Sequence, residues 1–270
     1  MKNFITLGKV LSIGFCWFFN FIQSQSSGIL DPDFNGNGKL SFSFSQQSDY
    51  CSDVTIDNNQ KIIAAGSSNL SGKKCFAIAR LNPDGSFDNS FSSDGKVQTV
   101  IANSDATLSK ILIQPDNKIL AAGSNSNGFV IARYLTNGDL DNSFSFDGIV
   151  TTAVSANFGA AALDKNGNIY LVGGKGANDS NIVIAKYKPD GSLDQNFGSA
   201  GVKTVVINTD PQPRFIQVDA NGNMVIIGDY IKSSVKYIFY TRLTPTGNYD
   251  ISVLGTNRHK SLGFHFGTLL

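Results

Sequence analysis

The feature that most constrains this chain is a unit of about fifty residues that returns four times. Lys61, Ile62, Ile63, Ala64, Ala65, Gly66 and Ser67 come back as Lys118, Ile119, Leu120, Ala121, Ala122, Gly123 and Ser124, and in diverged form over Asn168 to Gly173 and Asn223 to Gly228. Behind each copy lies a second apolar run that ends on a base, at Arg80, Arg133, Lys186 and Arg242. Ahead of each lies a short alternating run, marked by Val54 and Ile56, Ile111 and Ile113, Ala161 and Leu163, or Ile216 and Val218. These short runs are rich in β-branched and aromatic residues and bounded by Gly, Asn, Asp and Pro, which predicts strands. The middle run of each unit is apolar at consecutive positions, so both of its faces should be buried, as in a strand inside a stack of sheets.

Turn chemistry repeats with the same period. Asn82-Pro83-Asp84-Gly85 and Lys188-Pro189-Asp190-Gly191 put Pro second and Gly fourth, the preference of a type I turn. Leu135 to Gly138 and Thr244 to Gly247 hold the same place. A longer connection then follows: Phe87, Asp88, Phe91, Gly95; Leu140, Asp141, Phe144, Gly148; and Leu193, Asp194, Phe197, Gly201. The repeat region opens with the same series at Leu30, Asp31, Phe34 and Gly38. Base and carboxylate stand at one offset in Arg80 and Asp88, Arg133 and Asp141, Lys186 and Asp194, and Arg242 and Asp250. Four equivalent pairs predict a structural tie between strand end and connection, since catalysis would need one copy unlike the rest. As exposed pairs they would contribute about 0–1 kcal/mol each.

A strand ending in Ala79-Arg80-Leu81, then Asn82 to Ser86, then Phe87-Asp88, Phe91 and Gly95-Lys96-Val97, resembles the delta-60 repeat, a module found in tandem in bacterial exported proteins. The resemblance covers residues 29–250. It implies a β-propeller, and it implies no established biochemical activity. The expected fold is therefore all-β: a propeller or propeller-like arc of about four four-stranded antiparallel blades within a repeat region 27–250. The strands divide into blades over residues 39–81, 96–134, 148–187 and 202–243. Gly38 to Phe44 matches Gly95 to Ile101 and is expected to pair with Ser52 to Asp57 in the first blade, which leaves the arc open; pairing with Lys236 to Leu243 would close a ring. Beyond Asp250 the pattern fails. Leu254, Leu262, Phe264, Phe266 and Leu269 nevertheless keep residues 251–270 apolar, as in a blade begun and not finished. An open arc exposes an apolar face and an unpaired strand edge, through which copies could self-associate.

Residues 1–26 read as a secretory signal peptide. Lys2 and Lys9 flank the start of the apolar stretch Val10 to Ile22, and the small polar run Gln23 to Ser27 follows. The stretch falls short of the roughly 20 apolar residues of a bilayer span and contains Asn20, so no membrane span is expected after cleavage. Removing Lys2 and Lys9 from the 22 bases leaves them one short of the 21 acids, and without a basic excess nucleic acid is not an expected partner. Cys51 and Cys75 then remain, too few for a disulfide framework or a zinc site. An exported protein either pairs them or keeps two thiols.

The string Asp31-Pro32-Asp33-Phe34-Asn35-Gly36 begins like a calcium loop, with oxygen ligands at alternate positions. Phe42 stands where the bidentate Glu belongs, and Ser90 and Ser92, Ser143 and Ser145, or Asn196 and Gly198 replace Asp33 and Asn35 in the other copies. A structural turn is expected there, with no metal and no cofactor. His259 and His265 both lie outside the repeats, which leaves a Ser/His/Asp arrangement unsupported, and no glycine-rich string opens a helix to cradle phosphate. No catalytic residue is assigned.

The function expected is that of a secreted or cell-surface repeat protein, a non-catalytic binding or structural module for an extracellular polysaccharide, protein or cell surface. The loops after each second strand, Ser67–Lys74, Ser124–Gly128 and Asp229–Lys236, vary most and are the expected contact sites. The competing reading is a propeller-type enzyme, a lyase or hydrolase acting on an extracellular sugar or peptide. It would need His, Glu or metal ligands at the channel mouth, and the repeats contain no His.

Overall fold

The computed structural model describes residues 29–176, 179–207, 210–254 and 260–263. The expected signal peptide, His259, His265 and part of the apolar tail lie outside them. Four antiparallel sheets of four strands follow one another, each with its strands side by side in chain order. Blade 1 holds β1 (Tyr50–Ile56), β2 (Ile62–Leu70), β3 (Lys73–Leu81) and β4 (Lys96–Thr99). Blade 2 holds β5 (Ala106–Ile113), β6 (Ile119–Asn125), β7 (Gly128–Tyr134) and β8 (Ile149–Ala153). Blade 3 holds β9 (Asn157–Leu163), β10 (Ile169–Gly174), β11 (Asn181–Tyr187) and β12 (Val202–Val206). Blade 4 holds β13 (Gln212–Val218), β14 (Met224–Lys232), β15 (Val235–Leu243) and, after the single helical turn α1 (Ile251–Leu254), β16 (Lys260–Gly263). Among the described residues no helix is long and apolar enough to cross a membrane.

The all-β propeller-like class is as expected, but the blade limits are not. The strand after each long connection closes the blade just left and does not open the next one. Arg80 N donates to Gly95 O at 2.9 Å and Asp88 N donates to Arg80 O at 3.0 Å, so β3, the connection and β4 form one wide hairpin. Gly38 to Phe44 is correspondingly no strand and pairs with neither expected partner. In the other copies the segment in this position pairs with the base-ending strand that precedes its own connection, as Lys96 to Thr99 pairs with β3.

Side chains alternate across each strand, and in the stack both faces meet a neighbour. Ile119 and Ala121 of β6 join Ile63, Ile78 and Phe91 in the core between blades 1 and 2. Leu120 and Ala122 turn the other way, to Leu171 and Tyr187 of blade 3. Between blades 3 and 4 the core holds Val172, Ile184, Ile226 and Phe239. Blade 4 makes no comparable packing with blade 1, so the described residues form an open arc.

The Gly of the repeated Ala-Ala-Gly has a specific cause. Each first strand carries a β-bulge, as between Leu108 and Lys110 opposite Gly123 and Ala122. The bulge drives a carbonyl against the neighbouring strand: a Cβ on Gly123 would sit 1.9 Å from Thr107 O, and one on Gly66 would sit 1.8 Å from Tyr50 O. Only glycine leaves room for that approach.

Candidate functional site

The turns and connections gather the charged residues at the junctions between blades. Arg80 Nε donates to Asp88 Oδ2 at 2.9 Å, while its Nη atoms donate to Thr136 O of the next blade's turn at 2.6 Å and to Ser90 Oγ at 3.1 Å. The guanidinium lies 4.7 Å from the centre of the Phe91 ring. Blade 2 repeats the arrangement: Arg133 pairs with Asp141 at 2.8 Å, donates to Pro189 O of blade 3 at 2.6 Å, and stacks on Phe144. Lys61 and Lys118 place a second base 3.3 Å from Asp88 and Asp141. Blade 3 keeps the pair, Lys186 to Asp194 at 2.8 Å, and the base over Phe197 at 6.0 Å, but not the reach to the next turn, because an ammonium lacks the fork that reaches the carboxylate and a carbonyl together. In blade 4 Arg242 spans Asp219 at 2.9 Å and Asp250 at 3.3 Å.

All four expected pairs are therefore formed. The small contribution expected of exposed pairs does not apply to the first two, since Arg80, Asp88, Arg133 and Asp141 are all buried. The next blade and the stacked Phe cover them. A second cross-blade tie, not anticipated, joins buried tyrosines to the preceding blade's last strand: Tyr134 Oη donates to Thr99 Oγ1 at 2.8 Å and Tyr187 Oη to Thr152 Oγ1 at 2.7 Å. Its sequence signal is a Tyr directly after the base with a Thr at one fixed distance upstream.

Burial alone would raise the carboxyls of Asp88 and Asp141. The hydroxyl and N–H of Ser90 and Ser143, with Arg80 and Arg133, outweigh it and hold both at about 2. Because these values are depressed in the folded state, the stability they contribute is complete above the unfolded value near ~4 and is lost as pH falls through about 2. Denaturation midpoints measured down that range should fall steeply, and Asp88→Asn should flatten the fall; equal slopes for both proteins would contradict the assignment.

A groove lies beside the charged cluster at the first and third junctions. Between blades 1 and 2 its volume is about 280 Å³, with Asn59, Lys61, Asp88 and Asn137 on its walls. Between blades 3 and 4, where no arginine crosses to the next turn, it widens to about 400 Å³ and is walled by Asn166, Asn168, Lys186, Asp219 and Asn221. Tyr170 backs this groove, donating from Oη to Asp164 Oδ2 at 3.3 Å, with Lys186 Nζ 5.5 Å from its ring centre. A separate apolar cleft of about 280 Å³ lies on the front of blade 1, between Leu40, Phe42 and Phe44 and the small residues Ala64, Gly66 and Ala77. The one acid on its wall, Asp49, accepts from Ser43 Oγ at 2.9 Å and Phe44 N at 2.8 Å.

The remaining candidates resolve into structure. Asp31 Oδ1 accepts from Asp33 N at 2.9 Å, the same turn that Asp88 makes with Ser90 N at 3.1 Å, and Asn35 N donates to Asp84 O at 2.7 Å as Ser92 N does to Asn137 O. The calcium-like string is thus a repeat connection seated on the next turn. Among the described residues no three His, Cys, Asp or Glu side chains gather as a metal site. Cys51 and Cys75 are free thiols: they lie on β1 and β3 with β2 between, and two strand spacings of about 4.8 Å exceed the Cα separation a disulfide spans. Burial pushes the Cys75 thiol up. The expected contact loops are mostly strand. β2 and β3 run to a two-residue tip at Ser71 and Gly72, with φ of 52° and 77°, and β14 and β15 close at Ser233 and Ser234 in the same way.

Three stretches, residues 59–91, 114–144 and 165–197, match a family described as "Domain of unknown function (DUF5122) beta-propeller". Each stretch begins at or near the turn before a second strand and ends with the connection that carries the Phe, so the chain carries β-propeller repeats. A comparison with curated proteins finds no match. Among solved structures, the chain is similar to a protein provisionally named a gluconolactonase (13% identity, TM-score 0.40, covering 74% of this chain and 61% of that one). It is also similar to a protein of unknown function from Dyadobacter fermentans (12%, 0.41, 73% and 50%). A third is a polysaccharide lyase, an ulvan lyase bound to a sugar fragment (9%, 0.44, 72% and 52%). The chain thus spans between half and about three fifths of the length of these structures.

Proposed function

We propose that this chain is an exported repeat protein of the delta-60 kind that acts as a non-catalytic binding module, taking an extracellular polysaccharide in the groove between blades 3 and 4. One observation carries this reading. The base and carboxylate of every copy are paired in a structural tie, while the groove widened at Lys186 presents the exposed amides of Asn166 and Asn221 above the buried ring of Tyr170. Neutral amide donors and acceptors in a groove suit recognition of a hydroxyl-rich ligand without reaction. Export is read from the basic, apolar and small polar order of residues 1–26.

The test is to incubate the protein with a panel of glycans and cell-wall fragments, following both retention and the integrity of each ligand. Retention of an intact glycan, weakened by Asn166→Ala and Asn221→Ala, is the expected result. Consumption of a panel member would replace the reading with the enzyme one, and no retention would overturn it. Mass spectrometry of the protein from export-competent cells should place its first residue between Gln25 and Ser27; an intact Met1 would refute export.

A further inference from the structure

The two ends of the arc are unlike, and each lacks what the other offers. At every internal junction the back of one blade is covered by the front of the next. In blade 2, Ala122 and Phe129 of the back are 1% and 0% exposed. Their counterparts in blade 4, by position relative to the repeated Gly and base, are Ile227 and Ile238, which are 41% and 40% exposed; Phe215, paired with Ile227 on β13, adds to the same face. The front of blade 1 shows the complementary gap. Val54 and Ile56 are 61% and 59% exposed, whereas Ile111, the counterpart of Val54 in blade 2, is 2% exposed under blade 1.

The polar ties have the same asymmetry. Arg80 and Arg133 each donate to a carbonyl of the next blade's turn, Thr136 O and Pro189 O. Arg242, in the same place, instead pairs with Asp219 and Asp250 of its own blade. Pro83 O, the counterpart of those two acceptors on blade 1, receives no base among the described residues. Blade 1 also brings its own connection: Phe34 packs on Gly85 as Phe91 packs on Gly138. Blade 4 has no Phe at that spacing after Asp250. Leu40 to Phe44 lies over the outer part of the front, with Phe42 5.3 Å from Phe87, and leaves β1 open.

We propose that two copies of this chain associate head to tail, the back of blade 4 in each covering the front of blade 1 in the other. The occupant follows from continuity: the exposed surfaces are the two halves of an interface the chain already builds three times, including a base, Arg242, that is held within its own blade, and an acceptor at Pro83 O that no base reaches among the described residues. Such a contact joins different patches on the two partners, so it must either close or propagate. Two arcs of four blades close at eight, within the usual propeller range of about 4–8. This inference is independent of the glycan reading.

Sedimentation velocity of the full chain, in the form cells make it, tests the proposal. The wild type should run as a species of two chains, and both Ile227→Asp and Val54→Asp should run as single chains with unchanged circular dichroism. Mixed together they should form a complex of one each, because the first keeps its front and the second its back. Ile238→Lys and Ile56→Lys serve the same purpose if either aspartate variant fails to fold. A wild type that stays monomeric at every concentration would overturn the proposal. So would a Val54→Asp protein that still pairs, which means a back-to-back contact, a mixture that stays monomeric, or growth into open-ended polymers.

Discussion

Replacing Arg133 with methionine is expected to lower the melting temperature by about 10 °C. The change leaves Asp141 buried with Lys118 at 3.3 Å as its remaining base, beside the Ser143 donors, and removes the donor to Pro189 O that ties blade 2 to blade 3. Removing one member of a buried pair costs about 3–5 kcal/mol, and in a chain of this size each kcal/mol shifts the midpoint by about 2–4 °C. Arg133→Lys should cost much less, since blade 3 already works with Lys186 and Asp194 at 2.8 Å. The double change Arg133→Met with Asp141→Leu should recover part of the loss, because no charge is then stranded. Thermal melts of the three proteins decide the matter: equal midpoints for Arg133→Met and the wild type would mean that the pair is solvated after all.

Gly123→Ala is expected to be as damaging, by a different route. The added carbon would lie 1.9 Å from Thr107 O and 2.9 Å from Thr107 C, both backbone atoms, so no side chain can turn aside to admit it. Either the bulge between Leu108 and Lys110 opens or β6 shifts, and β6 holds Ile119 and Leu120 in two cores at once. The cost should reach or exceed the upper end of the range for overpacking, about 1–3 kcal/mol. Ser124→Ala next door should stay within about 0.5 kcal/mol in either direction. Urea titration of both variants provides the comparison, and a neutral Gly123→Ala would show that the bulge does not form.

Much of this was readable before any fold was known, because the repeat multiplies each weak signal by four. Apart from the strand expected at Gly38 to Phe44, the strands, the turns and the base–carboxylate tie stand where their spacing placed them. What the spacing hid was the partner of each last strand. An alternating run such as Lys96 to Thr99 fits the edge of either adjacent blade, and the choice is made by Arg80 N and Gly95 O, backbone atoms with no side-chain signature. Burial of Arg80 and Asp88 was hidden for a related reason: residue type argues exposure, and the covering blade is contributed by residues more than fifty positions away. The junction groove was overlooked because it comes from an absence, the missing reach of Lys186, where the eye follows what is present. Varying sequence at Ser67–Lys74 and Asp229–Lys236 looked like loop when it was longer hairpin, since Ser, Asn and Lys serve both.

The arginine strut has a mechanical consequence. Load applied between the two ends of the arc must pass through three joints in series, since among the described residues nothing comparable fastens the first blade to the last. Two of those joints carry an arginine clamp onto a neighbouring carbonyl and a tyrosine–threonine latch. The third has neither, since Lys186 stops at its own carboxylate and Leu243 stands where Tyr134 and Tyr187 stand; its polar ties are the exposed ones of Tyr249 Oη to Val206 O and of Lys203 Nζ to Asn248 Oδ1 at 3.3 Å. Under tension the fourth blade should therefore detach first, as the weak link of the series, leaving the other three in register.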